Sequence, residues 1–176
     1  MADSKILDPL RIDSVEIPTS RGLIGMAACP GREDLAFDLD AIRSWGAEIL
    51  VSLIEPVEYT LMGIEKMHEM IPVGMRHLQL PIPDRSIPDA AWELGWKRAS
   101  PTIHSVLARG GKVCVHCMGG LGRSGLAVAR LLVESGISSE QAILMVRAAR
   151  PGAIETPGQE AYVRGLLTRS FFIQSL

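Results

Sequence analysis

Cysteine is scarce in this chain: three thiols, Cys29, Cys114 and Cys117, in 176 residues. An odd and low count excludes a disulfide framework, and free thiols suit a reducing compartment. Charge of one sign is not in excess either. Eighteen basic against twenty acidic side chains leave a net charge of −2. No global basic surplus points to nucleic acid or anionic lipid, so any anion site must be local. Long apolar runs are missing; the best stretch, Leu126 to Val133, is interrupted by Arg130. It falls far short of the roughly 18–20 residues that span a bilayer. The first residues carry charges and no apolar core, so a secretory signal is not expected. The closing Gln-Ser-Leu offers no prenylation cysteine. Internal repeats and long linkers are also wanting. The expectation is a soluble, cytoplasmic monomer that engages neither nucleic acid nor membrane.

What is present is ordinary globular material, 47% apolar and 22% charged. The length suits one domain able to bury about 70% of its extended-chain surface without a staple. Residues 1–20 are polar and weakly periodic and read as an N-terminal extension, with residues 21–176 as a single domain. Gly22 to Cys29 reads as a strand closed by Pro30-Gly31. Apolar residues at Leu35, Leu39, Ile42 and Trp45 give helical spacing up to Gly46. Glu48 to Ile54 is a buried strand, Tyr59 to Met70 a helix weakened by Gly63, and Arg76 to Leu80 a strand. Pro81 to Pro88 is a loop, because its three prolines interrupt any regular element. Asp89 caps a helix over Ala90–Ala108, which Gly110-Gly111 ends. Lys112 to His116 is a strand, and a helix from Arg123 to Glu134 follows. Ser138 with Gln141, and Thr156-Pro157 with Gln159, mark two further helix starts. Strands alternating with helices imply an α/β fold: a central, largely parallel sheet flanked by helices.

The chemistry concentrates between that strand and the next helix. His116-Cys117 leads into Met118, Gly119, Gly120, Leu121 and Gly122, and Arg123-Ser124 open the helix. Three glycines in five residues let successive amides turn inward as an anion nest. A helix N-terminus adds aligned N–H groups, and Arg123 adds a planar fork for phosphate oxygens. A thiolate at Cys117 is favoured in such a cradle and is aimed at phosphorus. Ser124 is placed to donate to the departing sulfur. His116 orders the loop backbone rather than transferring protons.

The string resembles the signature of the cysteine-dependent protein phosphatases, in particular the dual-specificity branch and its kinase-associated group. Pro81-Ile-Pro-Asp84, Gly152-Ala-Ile-Glu-Thr156, Gly22-Leu-Ile-Gly and Ser138-Ser-Glu-Gln-Ala142 extend the likeness over about residues 20–170. The resemblance implies a cysteine-phosphatase sandwich and hydrolysis of phosphotyrosine, with phosphoserine and phosphothreonine as further substrates. It implies no metal or organic cofactor, and a phosphoprotein substrate that includes the protein kinases. Asp84 is the general acid by this likeness and, once ionised, the group that activates water in the second step; Asp89 is the runner-up, with a helix cap as its competing role. Glu155 stands where related enzymes carry a water-positioning glutamine, and Gln159 is read as a cap.

Other residues carry less. Cys114 with Cys117 spells Cys-x-x-Cys, but no second pair or histidine cluster supports zinc, and a buried strand cysteine outranks a regulatory disulfide. Cys29 has no visible partner. His68, His77 and His104 read as surface or packing residues. Rival activities are a phosphoinositide phosphatase, which the lysine-free loop disfavours, and a sulfurtransferase, which has no need of Ser124. The rival from another class is a catalytically weak phosphoprotein-binding module.

Overall fold

The computed structural model describes residues 7–167. Among these residues five strands form one sheet: β1 (Ile12–Glu16), β2 (Leu23–Ala27), β3 (Ala47–Ser52), β4 (Arg76–Gln79) and β5 (Lys112–His116). Their order across the sheet is β1-β2-β5-β3-β4. Only β1 runs antiparallel to its neighbour; β2, β5, β3 and β4 are mutually parallel. Among the described residues six helices flank the sheet: α1 (Leu35–Trp45), α2 (Pro56–Met62), α3 (Ala90–Ala108), α4 (Gly122–Glu134), α5 (Ser139–Ala149) and α6 (Pro157–Arg164). The expected α/β sandwich is the fold observed.

Strand alternation splits the core in two. Val113 and Val115 of β5 and Ile49 and Val51 of β3 face one side, against α3–α6. Cys114 of β5 and Leu50 of β3 face the other, with Leu39 and Ile42 of α1. The helix ends behave as their caps dictate. Asp34 accepts from Phe37 N at 2.9 Å, and Gly46, at φ +99°, stops α1. Two expectations differ from the structure. Residues 12–16, inside the segment set apart as an extension, form the edge strand β1; five largely polar residues give too short an alternation to read. The helix expected over 59–70 is α2 only to Met62, where Gly63 at φ +67° ends it; a 3-10 turn follows at Met67–Glu69. No helix among the described residues is long and apolar enough to cross a membrane.

The central pair β3 and β5 sets the site. Both are buried along nearly their whole length. Parallel strands present their C-terminal ends at one edge, where ligands of open α/β sheets bind. Trp92, at the start of α3, donates Nε1–H to Leu80 O at 2.9 Å and pins the proline-rich loop beside that edge. Trp92 stacks on Trp96 at 4.9 Å between ring centres, and the Arg130 guanidinium lies over both rings.

Candidate active site

Cys117 follows β5 directly and is buried, 3% exposed. Its Sγ accepts from Gly120 N at 3.2 Å and lies 3.5 Å from Ser124 Oγ. The sulfur therefore points into the turn of the loop. Helix α4 begins at Gly122 with no side-chain cap and no acidic residue in its first turn. Its leading N–H groups remain available to an anion.

The loop is oriented by what holds its carbonyls. Cys117 O faces His116 Nδ1 at 3.2 Å. Met118 O accepts from Cys29 N at 3.0 Å and from Arg32 Nη2 at 2.8 Å. Gly119 O accepts from Arg150 Nη2 at 3.1 Å. Leu121 O accepts from Gly125 N at 3.0 Å and Ile154 N at 3.2 Å. With these carbonyls tied outward, the amides are left to turn inward. Gly120 makes the turn at φ +72°; a Cβ there would stand 2.5 Å from the Ala27 carbonyl. Only glycine fits that conformation and that gap.

Behind the loop runs a buried chain of hydrogen bonds. His116 Nε2 is 2.5 Å from Ser52 Oγ, and Ser52 Oγ is 2.7 Å from His77 Nε2. The partners set the tautomers: His116 donates Nδ1–H to Cys117 O, Ser52 donates to His116 Nε2, and His77 donates to Ser52. Burial lowers both rings to about 4, so each is neutral at physiological pH.

Arg123, 1% exposed, lies beneath the cavity rather than at its rim. Nη1 donates to Glu58 Oε2 at 2.7 Å and to Ile82 O at 3.0 Å; Nη2 donates to Glu58 Oε1 at 2.8 Å. Nη2 also pairs with Asp84 Oδ1 at 3.1 Å. Its buried Nε finds no acceptor among the described residues and is left as a donor. Burial raises the Glu58 carboxyl, but the Arg123 hydrogen bonds, helped by a backbone donor and the guanidinium charge, outweigh it and hold the group low.

A cavity of about 180 Å³ collects Cys117, Met118, Gly119, Leu121 and Gly122 of the loop, Arg123, Asp84, Arg85 and Glu155 around one opening. Ser124 and His116 are fully buried and do not line it. Asp84 stands at the rim, with 65% of its side chain exposed. Asp89 is elsewhere: it caps α3, accepting from Trp92 N at 2.8 Å. Gln159 is fully buried, accepts from Glu155 N and Thr156 N, and donates to Ser86 O at 3.2 Å. It therefore ties the 152–156 segment to the proline-rich loop without lining the cavity. Cys114 faces the opposite core from Cys117, and burial raises its thiol to about 12. Burial likewise raises Cys29 to about 12. His104 pairs with Glu134 at 2.8 Å beside a separate cavity of about 360 Å³ that contains no cysteine. Among the described residues no group of three or more metal-ligating side chains comes together.

Sequence reasoning missed Glu58 and Arg32, and it left Arg85 without a role. The signal for Glu58 was Glu55-Pro56-Val57-Glu58, a helix start in which Glu58 accepts from Glu55 N at 2.7 Å. Nothing in that pattern points to Arg123, 65 positions away.

Residues 57–165 match the catalytic domain of the dual specificity phosphatases. The chain is 31% identical to cyclin-dependent kinase inhibitor 3 of Mus musculus over 153 residues, 80% of this chain and 69% of that protein. It is 49% identical to protein tyrosine phosphatase domain-containing protein 1 of Danio rerio over 63 residues, 35% of this chain and only 9% of that much longer protein. A solved kinase associated phosphatase, its catalytic-site cysteine substituted by serine, superposes with a TM-score of 0.79 at 26% identity. That match covers 90% of this chain and 94% of the other. The profile match takes in the proline-rich loop, the glycine loop and α4 together, and so the chain belongs to the dual specificity phosphatase family.

Proposed function

We propose that this protein hydrolyses phosphate monoesters on tyrosine, and on serine and threonine, of protein substrates through a cysteinyl-phosphate intermediate. One observation carries the reading: Cys117 Sγ sits within the loop's turn, 3.2 Å from Gly120 N, while outside donors hold the loop's carbonyls away from the cavity. A phosphoryl group entering there meets inward amides, the α4 N-terminus and the free Nε of Arg123. The sulfur attacks phosphorus as the ester P–O bond breaks, and Asp84, at the rim, gives its proton to the departing oxygen. Water then attacks the phosphorus of the intermediate as a carboxylate of the cavity takes its proton, and the sulfur leaves with the P–S electron pair. Ser124 Oγ, 3.5 Å from Sγ, stabilises that thiolate. His116, neutral and hydrogen-bonded to Cys117 O, holds the loop in register.

The names of the mouse relative and of the solved neighbour favour a phosphorylated kinase as substrate. Three free, buried cysteines favour a reducing, cytoplasmic setting. We take residues 21–176 as one domain that works as a monomer, with residues 1–20 lending β1 to its sheet. A loop without lysine argues against a highly charged inositol headgroup. Cys117, Asp84 and Arg123 on one cavity argue against a mere binding module.

Turnover of p-nitrophenyl phosphate tests the reading. Cys117→Ser is expected to abolish it while a phosphotyrosine peptide still binds. Full activity in that variant would overturn the mechanism.

A further inference from the structure

Two carboxylates, not one, line the cavity that holds Cys117: Asp84 and Glu155. They come from different loops and stand in different surroundings. Asp84 pairs with Arg123 Nη2 at 3.1 Å. Glu155 lies over the start of α4, where a Cβ on Gly122 would meet Glu155 Oε2 at 2.9 Å. Its other oxygen, Oε1, is held by Arg85 Nη1 at 3.1 Å.

The placement of Glu155 is built, not incidental. Ile154, just before it, has φ +58°, a region that a β-branched residue rarely enters. Arg85, just after Asp84, has φ +57°. Such backbone persists only where its surroundings over-determine it, and it clusters at active sites. Here Ile154 N donates to Leu121 O, Arg147 Nη2 donates to Ile154 O at 3.1 Å, and Gln159 Oε1 accepts from Glu155 N at 3.0 Å. All of this fixes a carboxylate beside Gly122, the first residue of α4, in the wall of the cavity that holds Cys117. In a pure anion site that group only opposes the ligand.

We propose that Glu155 is the general base for the second half-reaction, a role that rests on the cysteinyl-phosphate mechanism above. The attacking water passes one proton to the Glu155 carboxylate as its oxygen bonds to phosphorus. The P–S bond breaks, its electron pair returns to Cys117 Sγ, and phosphate leaves. The proton then passes from Glu155 to phosphate or solvent. Asp84, paired with Arg123, serves the leaving group in the first half-reaction, and the water-activating role expected of it passes to Glu155; Arg85 is a positioning residue that holds Glu155 over α4.

Glu155→Gln tests this with p-nitrophenyl phosphate, whose good leaving group makes the first step fast. Expected is a fall in kcat of about 10- to 100-fold. The ratio kcat/KM, which reports the first step, is expected to stay within about twofold. Acid quenching with labelled substrate is expected to trap phosphoenzyme on Cys117, and inorganic phosphate is expected to inhibit the variant more strongly than the parent. Glu155→Asp, which keeps the carboxylate, is expected to recover part of kcat. Unchanged kinetics, or kcat and kcat/KM falling together with no trapped phosphoenzyme, would overturn the proposal. If Cys117→Ser stays active and no variant traps label, the cysteinyl-phosphate mechanism itself fails, and the role of Glu155 falls with it.

Discussion

Glu58 and Arg123 meet as a two-pronged ion pair under the cavity floor, Nη1 to Oε2 at 2.7 Å and Nη2 to Oε1 at 2.8 Å. The guanidinium is 1% exposed and the carboxylate side chain 11%. Breaking such a pair by removing one partner strands a buried charge and costs about 3–5 kcal/mol. Glu58→Ala is expected to lose stability on that scale in urea unfolding. Arg123 is then expected to swing toward Asp84 and Ile82 O, and turnover to fall with it. Glu58→Gln retains the shape and one acceptor oxygen for the Arg123 guanidinium, and should recover part of the stability. Equal stability of parent and Glu58→Ala would show that the pair contributes nothing net.

Asp84 is mostly solvated, yet its Oδ1 lies 3.1 Å from Arg123 Nη2 at the mouth of the Cys117 cavity. A group that protonates the leaving oxygen matters most when that oxygen leaves poorly. Asp84→Asn is expected to slow phenyl phosphate by about 100- to 10,000-fold. It should slow a substrate with an acidic phenol far less. A plot of log(kcat/KM) against leaving-group pKa is expected to steepen in the variant. Parallel lines for parent and variant would remove Asp84 from the role.

The outcome at Asp84 and Glu58 shows what a sequence makes legible. The strand, glycine loop and helix around Cys117 were readable because the pattern is local: strand, glycines, arginine and helix are consecutive, and each restricts the backbone in a known way. Capping residues were readable for the same reason; Asp89, Ser138 and Thr156 each bond a backbone N–H three residues on. Glu58, Ser52 and His77 were not, because their partners lie across the sheet. Ser52 reaches His116 only after β3 and β5 pair in register, Ser52 beside His116. Strand β1 escaped because its burial is slight, Val15 alone being buried within it.

The buried histidines tie stability to pH. Burial holds His77 and His116 at about 4, against 6.5 for the ordinary side chain. The unfolded chain therefore binds more protons than the folded one between those values, and stability falls as pH drops through that window. The carboxyls of Glu58 and Glu134 are held low despite burial, so their contributions persist above the ordinary 4.5 and are lost below it. A two-stage acid loss follows. The Tm is expected to drop by about 5 °C or more from pH 7 to pH 5, with a steeper fall below pH 4.5. His77→Gln removes one of the two rings and is expected to flatten the first stage. A Tm flat down to pH 5 in the parent would contradict the neutral Ser52-linked chain.

Two glycines of the loop separate conformational need from mere smallness. Gly120 has φ +72°, and a Cβ there would lie 2.5 Å from the Ala27 carbonyl carbon and oxygen and 2.7 Å from Ala28 N. These are backbone atoms of the β2 end, so no side-chain rotation can relieve the clash. The same residue carries the N–H that points at Cys117 Sγ. Gly119 is its neighbour, yet a Cβ there meets nothing within 4 Å and its φ is not left-handed. Gly120→Ala is expected to cut kcat/KM by about 100-fold or more, the scale of losing one aligned oxyanion donor. Gly119→Ala is expected to change it by only a few-fold. Both are compared at matched Tm, so that loss of fold is not read as loss of catalysis. If the two variants lose activity alike, the loop needs flexibility at both positions, and the fixed ring of inward amides is not what holds the phosphoryl group.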